Sequence, residues 1–98
     1  MLRDLAGAYV SPVDQERLRL SCHSDQAFPP TYEEWLQLVA RGDAQAEQSG
    51  WPRDRINVDV DEFARWCSTA EVRPCVPAMQ AFVIMKRRGL QQALEGDL

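Results

Sequence analysis

Three cysteines and a single histidine are the side chains of this 98-residue chain best suited to chemistry: Cys22, His23, Cys67 and Cys75. Together they include the ligand types that zinc takes. Zinc sites, however, draw on close pairs such as C-x₂₋₄-C, which hold two ligands on one turn. Here Cys67 and Cys75 stand eight apart, and the adjacent Cys22 and His23 point in different directions on a regular backbone. A thiol nucleophile needs a base within hydrogen-bond reach and a third group to orient that base. Only His23 could be the imidazole, and no motif surrounds any of the cysteines. The pattern is that of two core cysteines and one loop residue, with no metal and no cofactor implied.

The neighbouring carboxylates lead to the same place. Glu33 with Glu34 and Asp61 with Glu62 fall in first helical turns, where capping and the helix dipole account for acidic side chains. The five glycines form no phosphate-cradling loop. Catalysis therefore ranks third among the functional readings and names no residue.

Those residues sit on a series of short elements. Leu2, Leu5, Ala6 and Tyr9 recur at helical spacing and predict a helix over 2–9. In SPVD, Ser11 can cap and Pro12 suits the first position of a helix over 12–22. Against this, Leu18, Leu20 and Cys22 alternate with Arg17, Arg19 and Ser21 at the strand period; the cap is given the greater weight. HSDQAFPP is a loop. In TYEEW, Thr31 and Glu34 form a capping box, and Tyr32, Trp35, Leu36 and Val39 a stripe, on a helix over 31–49 that Gly50 ends. Gly42 is a candidate break within it.

After the WPRDR turn, RINVDVDEFARWC reads two ways. Ile56, Val58 and Val60 share a face if residues 55–59 are a strand. Alternatively Asp59 and Glu62 make a second capping box, with Val60, Phe63 and Cys67 lining a helix over 60–71. Pro77 opens a last helix over 77–94. Its FVIM run is apolar on nearly every side, as in a helix central to a core or set between two subunits. Lys86, Arg87 and Arg88 are expected in its last turn. The fold class is thus mostly α: one small domain, 1–98, of four to five helices with an optional short strand at 55–59.

Bulk properties limit what such a domain can do. Apolar residues make up 45% and charged residues 27%, which is globular composition. No apolar run approaches the roughly 20 residues of a membrane span. MLRDLAGAYVSP mixes Arg3 with Asp4 and lacks the apolar run of a secretory signal. An odd, sparse cysteine count fits a reducing cytoplasm. The net charge of −4 resides in the first half, where residues 1–49 hold four Arg against eight acids and residues 50–98 seven basic and seven acidic groups. That balance opposes non-specific nucleic-acid binding.

Residues 55–88 resemble, in element order, the ribbon-helix-helix repressors, whose strands pair across a dimer and enter the major groove. The resemblance implies a dimeric DNA-binding regulator, with Arg55 and Asn57 facing the groove. Separately, Arg87 and Arg88 of the KRR cluster are candidate nucleic-acid contacts, although three positive charges at a helix end also suit a solvated cap. Three features depart from the family pattern. Asp59 would face phosphate in both copies, the VRPCVP loop is proline-rich, and a long segment precedes the strand. The leading reading is instead a small cytoplasmic accessory module, bacterial in style, acting by self-association as a homodimer or through a protein partner. Its warrant is surplus apolar surface, and Trp51, Phe82 and Met85 are the expected partner-binding residues.

Overall fold

The computed structural model describes residues 2–51 and 55–96, with side chains over 4–51 and 55–89. The WPRDR turn therefore lies largely outside the described residues. A 3₁₀ turn at Leu2–Leu5 leads to strand β1 (Ala8–Tyr9), then α1 (Pro12–Ser21) and α2 (Tyr32–Ser49). Strand β2 (Ile56–Asn57), α3 (Val60–Ala70) and α4 (Val76–Gly96) complete the chain. The structure is mostly helical, as the periodicities predict.

The expected first helix is the main departure. Gly7 adopts φ 72°, a left-handed conformation that ends any helix there, and its N–H donates to Asp43 Oδ1 at 2.9 Å. Its carbonyl then accepts from the Ile56 N–H at 2.9 Å and so starts a parallel ladder. Ala8 stands opposite Ile56 and Tyr9 opposite Asn57. The optional strand at 55–59 thus exists as two residues, and its partner lies in the segment read as helix.

Helix α1 resolves the conflict in RLRLSC. Ser11 Oγ accepts from the Asp14 N–H at 3.2 Å and fixes the start. Leu18 and Cys22, four apart, are buried, while Val13 and Leu20 face outward. Gln15 completes the inner face, because its side-chain amide donates to the Pro29 carbonyl at 3.0 Å. The apparent strand alternation came from Leu20, a solvent-facing leucine.

Thr31 Oγ1 accepts from the Glu34 N–H at 3.2 Å, and α2 runs unbroken through Gly42 to a left-handed Gly50. Trp35 is buried on its inner face against Phe28, with ring centroids 6.0 Å apart. In α3, Asp59 is the cap, accepting from the Glu62 N–H at 3.0 Å, and Val60 begins the helix. Phe63, Trp66 and Phe82 form an aromatic trio, Phe63 and Phe82 meeting edge-on at 5.4 Å and Trp66 and Phe82 at 5.8 Å. Edge-on contact suits the ring quadrupoles.

Helix α4 is anchored at its start by Asp25, whose Oδ2 accepts from the Val76 N–H at 2.7 Å. Ala78, Met79, Phe82 and Val83 form its buried stripe. The helix continues to Gly96, so Lys86, Arg87 and Arg88 lie within its length and not in the last turn. None of the described helices is long and apolar enough to cross a membrane.

Candidate functional site

The residues read from sequence as chemical form no reactive centre among the described residues. Cys22 and Cys67 are buried, Cys75 is half-buried, and all three are free thiols. Cys22 does line a hollow of about 270 Å³ with His23, Asp25 and Arg19. Burial, reinforced by Cys75, Asp25 and Cys67, pushes its thiol up to about 12. At neutral pH it stays protonated and is a poor nucleophile. Burial also raises the Cys67 thiol. Asp25 is committed structurally, with Oδ1 accepting from Ala27 and Oδ2 from Val76. No group of three or more His, Cys, Asp or Glu among the described residues is placed to hold a metal ion.

The groups named as contact residues separate into two sets. Phe82 is fully buried in the aromatic trio and holds the core together; it presents nothing to a partner. Arg87 is likewise buried, its guanidinium donating to the Ala6 carbonyl, so it cannot meet phosphate. Both corrections follow from helical register. Arg87 falls four residues after Val83 and eight after Met79, on the inner stripe of α4. Trp51 is half-buried just past α2, where its backbone N–H donates to the Ala46 carbonyl at 2.8 Å.

The other set comes together. Arg55, Ile56 and Asn57 of β2 face Met85, Lys86 and Gly89 of α4 across a groove of about 470 Å³. A second depression of about 580 Å³ continues along α4, lined by Ala81, Ile84, Met85, Arg88 and Gly89. Arg55 is fixed over the Tyr9 ring, 3.9 Å from its centroid, a cation–π contact. Lys86 pairs with Glu62 of α3 at 2.7 Å. Arg55 and Arg88 make no ion pair among the described residues. Met85 is 42% exposed although it follows Phe82 and Val83, which are 0% exposed.

Sequence reasoning reached Met85, Arg55, Asn57 and Arg88 but missed the groove that joins them. The missing information was Ala81 and Gly89, small residues one turn before and one turn after Met85 that line the depression on the outer face of α4. It also missed that β2 is paired within the chain. The ribbon of a dimeric regulator would have to form on the edge of β2 away from β1.

Comparison with protein-family models, curated proteins and solved structures finds no match, so the groove is read from its own chemistry.

Proposed function

We propose that this chain is an interaction module that captures a protein partner on the outer face of α4 beside β2. A single observation carries the reading: Ala81, Ile84 and Met85 form an outward apolar stripe that continues into a groove edged by Arg55 and Arg88. Apolar surface bordered by arginine is the composition of protein contact sites. Three free thiols support a reducing compartment, and we place the module in the cytoplasm.

A photo-crosslinking side chain at Met85, in the full chain within the cells that make it, tests this reading. Val13, which is 71% exposed and lies on α1, is the control position. A discrete adduct from position 85 and none from position 13 is the expected result. An adduct of twice 11.2 kDa identifies a second copy as the partner. Equal labelling from both positions, or none from 85, overturns the reading.

A further inference from the structure

The geometry points to a partner of one chemical class: an extended acidic peptide segment, which adds as a third strand on the Asn57 edge of β2 and seats an apolar side chain against Met85. This inference rests on the interaction reading above and specifies what the groove takes.

The backbone supplies the first part. In the parallel ladder, the Ile56 and Val58 N–H groups donate to the Gly7 and Tyr9 carbonyls of β1's side. Hydrogen-bonding groups alternate along a strand, so the N–H and C=O of Asn57 point away from β1. No described residue pairs with them. The groove draws its lining from residues 55–57 and from α4, with nothing from β1, and so adjoins that open edge. An unpaired edge is a template for another strand, and edge addition is a recurring mode of peptide capture.

The second part is shape. Met85 is exposed at the meeting point of the two depressions, and an unbranched thioether adapts to varied apolar partners. Gly89 lines both, and a Cβ built on it would meet nothing within 4 Å. No crowding among the described residues therefore requires glycine at this helical position, where it costs about 1 kcal/mol relative to alanine. Its bare backbone widens the groove.

Charge decides the occupant. The chain carries −4 overall, yet the described lining of both depressions includes Arg55, Lys86 and Arg88 and no carboxylate. Glu62 partners Lys86, which leaves the two arginines without a counter-charge among the described residues. An acidic segment complements them. A second copy meeting the same face would set Arg55 and Arg88 against themselves, since a two-fold contact is self-complementary. Nucleic acid is disfavoured by the net negative charge, and the exposed Tyr9 ring is already covered by Arg55.

The test is a titration of the ¹⁵N-labelled full chain, followed by amide chemical shifts. The probe is a blocked heptapeptide alternating glutamate and valine. Its controls are the lysine–valine counterpart, the acidic peptide N-methylated at alternate residues, and a 12-nucleotide single strand. Saturable shifts at Asn57, Met85 and Gly89 with the acidic peptide are expected. N-methylation, or Arg55→Glu or Arg88→Glu in the protein, weakens binding by about tenfold or more, since strand addition draws its affinity from the backbone and its selection from the side chains. The lysine peptide and the oligonucleotide leave the groove unshifted.

Equal binding by the lysine or N-methylated peptide at those residues overturns the acidic-strand proposal and leaves the interaction reading standing. So does concentration-dependent shifting of the free protein there, which assigns the face to a second copy. Displacement of the acidic peptide by the oligonucleotide reassigns the face to nucleic acid. No saturable shift up to about 1 mM, the weak end of useful affinity, also overturns the proposal. If no adduct forms from position 85 either, both readings fall.

Discussion

The two sides of α4 stand in opposite environments. On the inner side, Met79, Phe82 and Val83 are fully buried, and even Arg87 is drawn inward onto the Ala6 carbonyl. On the outer side, Ala81, Ile84, Met85 and Arg88 line open depressions. One helix that is apolar nearly all round thus serves as core on one side and leaves apolar surface exposed on the other. Apolar character in a sequence identifies surface that has to be covered, but the covering can come from the same chain or from another.

The largest test of this contrast sets Phe82 against Met85. Phe82→Ala removes the ring shared by Phe63 and Trp66 and is expected to cost about 3–5 kcal/mol in urea unfolding. Met85→Ala lies outside the core and should stay within about 0.5 kcal/mol. Comparable losses at both positions would mean that the outer face is also packed.

The second pair is Arg87 and Arg88. Arg87→Ala leaves the Ala6 carbonyl without its charged donor and is expected to cost about 2 kcal/mol. Arg88→Ala should again fall within about 0.5 kcal/mol, by the same unfolding measurement. This pair sharpens the contrast, because adjacent residues of one type are assigned opposite roles.

Much of this was legible in the sequence, and the failures have physical causes. Caps at Ser11, Thr31 and Asp59 marked three helix starts to within a residue, since short polar side chains announce the unpaired N–H groups they satisfy. The strand at β1 was illegible because two residues give no period, and its partner lies 48 positions away, at Ala8 against Ile56. Gln15 gave no apolar signal, yet its amide is buried because the Pro29 carbonyl satisfies it. The site was half legible. Met85 followed from the FVIM run, while KRR reads as one basic cluster at a helix end, although the spacing of Arg87 from Val83 and Met79 sets it on the inner stripe. A groove is a property of what is absent, and small residues such as Ala81 and Gly89 carry little sequence signal of their own.

Gly89 provides a smaller and opposite effect. Gly89→Ala should raise stability by about 1 kcal/mol, since its Cβ meets open space and helix propensity improves. A loss of stability instead would show that another group already occupies that space.

The thiols test burial beyond α4. At pH 8, Cys75, which is half-buried, should react with a thiol reagent well before Cys22, whose thiol burial pushes up to about 12. The same shift carries a pH dependence. The folded state keeps a proton that the unfolded chain releases near pH 8.5, so this contribution to stability is complete below about 8.5 and declines as pH rises toward 12. Unfolding midpoints at increasing pH check the sign, and Cys22→Ala should flatten the decline.

The most direct measurement uses the two methionines of α4 as internal reporters. Limited peroxide oxidation of the purified chain, read residue by residue by mass spectrometry, compares Met79 at 0% exposure with Met85 at 42%. Met85 is predicted to convert to its sulfoxide at least about tenfold faster than Met79, because susceptibility follows access to the sulfur. Equal protection of the two would show that the outer face of α4 is already covered in the isolated protein and would contradict the account.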